Sequence, residues 1–180
     1  MLDLLAEHPQ IHLTGKIDRR PSSPHTFVQL SLRVHDVTFG DPDAWSLDGL
    51  VVGAVSRLTE RLRAQRGEVS GAMRDFLRAL SAEAVFEALH EWAWDTGDWP
   101  HEARCPSGGV EVNRFQALPL ATEIFAGEHA YLVLEPEGLS RFVWRDPASK
   151  AVQERAIDGE LYIHQWEALG AALKTGLSRV

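Results

Sequence analysis

The sequence predicts an α+β fold, in which an antiparallel β-sheet has helices packed on one face and a helix follows at the C-terminal end. Three observations lead to this prediction. Residues 26–39 alternate between polar and apolar side chains, several apolar patterns of helical period follow, and residues 129–157 return to the two-residue alternation of strands. This order of strand, helices, strands and a last helix is typical of the α+β class.

The predicted helices have apolar side chains at three- and four-residue steps, which place one apolar face against a core. Ser81 is expected to cap the third helix, whose apolar side carries Val85, Phe86 and Leu89. The helices are expected at about residues 45–66, 70–80, 82–94 and 161–177.

The predicted strands follow the two-residue period and end in turn-forming sequences rich in Gly, Pro, Asp and Ser. The last three are expected to pair as consecutive antiparallel strands joined by tight turns. The strands are expected at residues 26–39, 110–115, 129–135, 140–146 and 151–157.

The length of 180 residues suits one domain. Two prolines and two serines in residues 21–24 have a linker composition, so residues 1–25 are interpreted as a flexible lead-in. Residues 26–180 are then expected to form a single α+β domain.

The composition points to a cytoplasmic protein. Cys105 is the one cysteine in the chain, so no intramolecular disulfide can form, as is usual in a reducing compartment. The first residues lack the basic and long apolar regions of a signal peptide, and no apolar stretch approaches the length of a membrane helix. We therefore expect a protein that does not span a membrane.

The formal net charge of −8 is unevenly placed. Residues 1–80 hold ten acidic and ten basic residues, whereas residues 81–180 hold sixteen acidic and eight basic ones. Such a field repels a phosphate backbone, which disfavours nucleic-acid binding, and it attracts a basic protein.

The sequence motifs of common catalytic and cofactor sites are absent. There is no GxSxG, HExxH, GxGxxG or GxxxxGK[ST] sequence, and Cys105 has no second cysteine with which to form a zinc ribbon. We therefore expect no catalytic residue, cofactor or metal. The alternative left open is a small enzyme that uses a His/Cys or His/acid pair near His101, Cys105 and His129.

The most regular charged pattern lies on the third predicted helix, where Glu83, Glu87, Glu91 and Asp95 recur at four-residue steps. Like charges at this spacing oppose helix formation, and no Lys or Arg lies between Ser81 and Arg104 to compensate them. Either the row is an ordinary solvated face, or it is an uncompensated acidic stripe for a basic partner. Two further acids would widen the stripe, Asp98 and Glu102.

Two tryptophans lie close to this stripe. Trp94 points away from the apolar side of its helix, and Trp99 falls in a turn sequence. Exposed tryptophan beside acids is a composition found at the centre of protein interfaces. The alternative is that both side chains pack over the edge of the sheet. We predict that both belong to the partner-binding surface.

Residues 123–135 (EIFAGEHAYLVLE) and 140–145 (SRFVWR) resemble the immunity protein 42 family, which protects bacteria against polymorphic toxins. Residues 26–34, Gly40-Asp41 and residues 80–86 are similar to earlier parts of that family. The chain has Ala126-Gly127-Glu128 where the family has Asp-Gly-Trp.

This resemblance implies a protein that binds and occludes a cognate toxin domain, without catalytic residues of its own. The expected partner is that toxin domain, and the charge of the chain favours a basic one. A secretion chaperone or adaptor, which also binds protein but does not silence toxicity, is the remaining alternative.

Overall fold

The computed structural model describes residues 10–19, 25–94, 112–119 and 122–178. It confirms the α+β fold with antiparallel strands and a C-terminal helix. The strands form two sheets, where the sequence predicts one. By their contacts the described residues form two compact units, and each unit combines segments that are distant in sequence.

The first unit contains the described residues up to Thr59, those between Pro119 and Glu128, and those from Glu160 onward. Its sheet is built around β2, which pairs antiparallel with each of the other three strands. The strands are β1 (Ile11–Arg19), β2 (Thr26–Val34), β3 (Val37–Phe39) and β4 (Ser46–Leu47).

The prediction of a flexible lead-in over residues 1–25 is wrong for residues 11–19, because these residues form β1. Ile11 and Leu13 are each 1% exposed, so one side of the strand is core. A Cβ atom at Gly15 would lie 3.1 Å from Leu30 Cδ2, and glycine therefore permits the close approach of the two strands. Gly15 occupies one of the alternate positions that are apolar at Ile11, Leu13 and Ile17, and so interrupts the alternation that would have indicated a strand.

The predicted strand of residues 26–39 is in fact two strands, β2 and β3, which form a hairpin. The chain reverses at His35 and Asp36, and His35 has a φ of 53°, in the left-handed region that tight hairpin turns require. The two-residue alternation shifts by one position at His35-Asp36, and this turn lacks the Gly or Asn that usually marks a tight hairpin.

The helices follow the predicted patterns closely. Helix α1 (Asp48–Glu68) begins later than predicted because Ser46 and Leu47 belong to β4. Ser70 accepts a hydrogen bond from the Met73 amide at the start of α2 (Gly71–Ala79). The last two helices are α3 (Ala82–Trp94) and α4 (Gly159–Ser178). None of the helices in the described ranges is both long enough and apolar enough for a bilayer crossing.

The second unit contains the described residues from Glu60 to Leu118 and from His129 to Gly159. Its sheet has the order β5-β6-β7, with both pairs antiparallel, which confirms the three consecutive strands that the sequence predicts. The strands are β5 (Ala130–Val133), β6 (Ser140–Arg145) and β7 (Val152–Ile157).

The strand predicted at residues 110–115 is wrong for residues 112–115, because Val112–Phe115 form a 3-10 helix, and its first two residues lie outside the described ranges. Phe115 is fully buried at the end of this turn, and Gln116 then makes an isolated bridge to Tyr131 of β5. Here a single bridge between Gln116 and Tyr131 stands in place of the predicted strand. The core of this unit joins apolar side chains of α2 and α3 to those of β5 and β6.

Candidate functional site

The candidate site is the side of α3 that faces away from the core of the second unit. Val85, Phe86 and Leu89 are fully buried on the opposite side, as predicted, and α3 contacts all three strands of the sheet. A helical repeat of 3.6 residues then brings Glu83, Glu87 and Glu91 together along the other side. Glu83 is exposed, whereas Glu87 and Glu91 are partly buried.

Three of the eight residues predicted to bind a partner are thus brought together. Trp94 is the last residue of α3, and its side chain lies outside what the structure describes. Four further predicted residues lie outside the described ranges: Asp95, Asp98, Trp99 and Glu102. Two residues of the enzymatic alternative, His101 and Cys105, also lie outside them.

The expectation of an uncompensated acidic row is wrong at Glu87. Arg145 at the end of β6 forms an ion pair with the Glu87 carboxylate. The two side chains are 34% and 43% exposed, so the pair lies at the surface. This cation comes from a strand of the sheet beneath α3, which is distant in sequence from the helix and its flanks.

Arg145 also connects the acidic row to the core. Its Cζ atom lies 4.5 Å from the centroid of the Phe86 ring, a cation–π contact. Phe86 stacks on the ring of His90, with centroids 5.3 Å apart and planes inclined by 18°. The side chains of Glu87, Arg145, Phe86 and His90 thus form one continuous set of contacts.

A histidine pair completes this set. The rings of His90 and His129 are 4.7 Å apart and nearly perpendicular. His90 Nδ1 lies 3.0 Å from the hydroxyl oxygen of Tyr131, a hydrogen-bond distance. We call Glu87, His90, His129, Tyr131 and Arg145 the histidine cluster. His129 is a candidate from the sequence and His90 is not, because only the packing of α3 against β5 brings the two rings together.

The surroundings favour neutral imidazoles in this cluster. Burial lowers the pKa of His90, and the nearby His129 and Arg145 lower it further against the opposing effect of Glu87. Burial is also the main cause that lowers the pKa of His129, followed by Arg145. Two neutral imidazoles beside a phenol hydroxyl are groups that can accept or relay a proton.

We expect the lowered pKa values to make stability depend on pH. The unfolded chain takes up protons at higher pH than the folded one, so the stabilisation is complete above about pH 6.5 and is lost as the pH falls below it. Urea unfolding between neutral and mildly acidic pH should show this decline. It should be weaker in the variant His90→Gln/His129→Gln.

The matched control is His164→Gln, which removes an exposed imidazole from α4. The free energy of unfolding of this control should decline with falling pH as much as that of the unchanged protein. If the stability of the double variant declines to the same extent, the histidine cluster is not the origin of the acid sensitivity.

Within the described ranges no three His, Cys, Asp or Glu side chains lie close enough together to hold a metal ion. No family model matches the chain, and no curated protein or solved structure matches it either. A functional interpretation therefore depends on the sequence and on the geometry of α3.

Proposed function

We propose that this chain is an immunity-type protein, which binds and neutralises a cognate bacterial toxin domain through the acidic side of α3. The observation that carries the proposal is the row of Glu83, Glu87 and Glu91 along one side of a helix whose other side is core. This geometry presents three carboxylates on a rigid element. A basic partner would be attracted to such a row and oriented by it.

The ion pair of Glu87 with Arg145 is compatible with this role. Both side chains are partly exposed, and pairs of this kind contribute at most about 1 kcal/mol to stability. A basic side chain of the toxin can therefore share or replace Arg145 at small cost. Glu83 and Glu91 remain as further acidic groups on the same side of the helix.

The class of partner is inferred from the resemblance to the immunity protein 42 family. Residues 80–86, which carry part of that resemblance, include Glu83 and the start of α3. The −8 net charge, all of it in residues 81–180, supports a basic toxin domain.

A growth assay tests the proposal. A polymorphic-toxin gene next to the gene for this chain would supply the toxin, and its C-terminal domain would be expressed in susceptible cells. Co-expression of this protein should restore growth. The variant Glu83→Lys/Glu91→Lys should restore it poorly, whereas Glu137→Lys, an exposed change in the β5–β6 turn, should restore it fully. Continued cell death with the unchanged protein would refute the proposed function.

The histidine cluster favours a second candidate, an enzyme that uses His90 and His129 with Tyr131 for proton transfer. The variant His90→Gln/His129→Gln distinguishes the two candidates. If the variant still binds the toxin but no longer protects cells, catalysis is favoured. Protection that is retained by the variant favours binding alone.

A further inference from the structure

The outer edge of β1 is a second candidate binding surface, besides the acidic side of α3. Among the residues whose structure is described, β1 pairs only with β2, along all nine of its residues. A strand at the edge of a sheet has a row of backbone N–H and C=O groups directed away from its partner. These groups are a template for another strand.

The register identifies which residues supply that row. The His35 amide donates a hydrogen bond to the Gln10 carbonyl at 2.7 Å, so these two residues form a hydrogen-bonded pair. Hydrogen-bonded and non-hydrogen-bonded pairs alternate along an antiparallel ladder. The even-numbered residues of β1 therefore bond to β2. The backbone groups of the odd-numbered residues point to the outer edge, namely Ile11, Leu13, Gly15, Ile17 and Arg19.

We propose that this edge binds the same edge of a second copy of the chain, antiparallel and centred on Gly15. In this arrangement Gly15 faces Gly15 of the second copy, Leu13 faces Ile17, and Ile11 faces Arg19. Each of these residues directs its backbone groups outward, so every pair can form hydrogen bonds. All nine residues of β1 take part in the new ladder. The sheet that contains β1 in one copy thus becomes continuous with the same sheet of the second copy.

The side chains are complementary in this register. His12 of one copy lies opposite Asp18 of the other, and Thr14 lies opposite Lys16, each combination occurring twice because of the two-fold symmetry. These are non-hydrogen-bonded pairs, whose side chains approach most closely. Leu13 and Ile17 meet on the other face of the sheet, where Leu13 is already core.

Neighbouring registers are poorer. With the symmetry centre at Lys16, the two lysines face each other, and with the centre at Thr14, Lys16 faces His12. A centre at Ile17 pairs Lys16 with Asp18 but leaves only residues 15–19 of β1 in the ladder. The strand thus carries its own complement around Gly15, which favours a second copy over a strand of another protein.

Sedimentation of the 180-residue chain over a range of micromolar concentrations tests this proposal. We expect a reversible dimer. Asp18→Lys should weaken it about tenfold, because two cross-strand pairs change from favourable to repulsive. His12→Asp/Asp18→Lys should restore it, since the charges are then exchanged. Asp43→Lys, an exposed change elsewhere in the same unit, should leave it unaltered.

A backbone variant provides an independent check. Ile17→Pro removes an amide that points outward while leaving the bonds between β1 and β2 in place. It should give a monomer with an unchanged circular dichroism spectrum. A protein that is monomeric at all concentrations, or a dimer indifferent to Asp18→Lys, would overturn the proposal. Binding of a toxin strand to this edge in place of a second copy would also overturn it.

Discussion

Replacement of Gln65 by leucine is expected to lower the free energy of unfolding by about 3–5 kcal/mol. Gln65 lies near the end of α1 and is 1% exposed. Its Nε2 atom donates to the carbonyl oxygens of Arg114 and Leu132, each at 2.9 Å, and its Oε1 atom accepts from the Leu134 amide at 2.6 Å. Leucine fills a similar volume but leaves all three backbone groups without this partner.

Chemical unfolding in urea measures this effect. The matched control is Glu60→Ala, which changes an exposed residue of the same helix and should alter stability by less than about 0.5 kcal/mol. Equal stabilities for the two variants would show that Gln65 does not hold α1 to β5.

Phe86→Ala is expected to have a comparable effect, a loss of about 3–5 kcal/mol. Phe86 is fully buried, packs edge-on against Tyr131 with centroids 5.4 Å apart, and carries Arg145 over its face. Its removal leaves a cavity beneath the candidate site. Because Phe86 also stacks on His90, solvent would reach His90 and its pKa would rise towards the ordinary value.

Two controls accompany this variant, one that keeps most of the side-chain volume at position 86 and one that removes a ring from another position. Phe86→Leu keeps most of the volume and should cost less than about 1.5 kcal/mol. Phe76→Ala truncates a partly buried ring that packs against the same core and should cost less than Phe86→Ala. The free energy from urea unfolding and the His90 pKa from NMR titration are the measurements. An unchanged His90 pKa in Phe86→Ala would contradict the stacked arrangement.

The elements with a strong apolar period could be predicted from the sequence. Helix α3 has the predicted bounds, and β5, β6 and β7 lie within the predicted strands. The secondary-structure predictions that are wrong have local causes. Gly15 interrupts the alternation of β1, and His35 adopts a positive φ without a turn signature. At residues 112–115 the short sequence VNRF forms a 3-10 helix that buries Phe115, and its two apolar residues are too few to distinguish this turn from a strand.

The candidate site could be predicted only where its residues share a helix. The spacing of Glu83, Glu87 and Glu91 fixes their common side of α3. The contacts of Glu87 with Arg145 and of His90 with His129 join residues far apart in sequence. They depend on how α3 lies across the sheet, which no local pattern determines.

We propose that the acidic side of α3 binds a basic toxin domain. Glu87 is a poor residue for testing it, because its charge reversal would also disrupt the contact with Arg145. Glu83 and Glu91 lie on the same side of the helix and are better choices. Glu137→Lys, in the β5–β6 turn, reverses a single exposed charge outside α3 and serves as the control.

The most direct measurement is the affinity for the purified toxin domain by isothermal titration calorimetry at low and high salt. We expect Glu83→Lys/Glu91→Lys to bind the toxin domain about tenfold more weakly, or worse, at low salt. Its affinity should also depend less on salt than that of Glu137→Lys. If the double variant has the same affinity and salt dependence as the unchanged protein, the acidic side of α3 is not the binding surface.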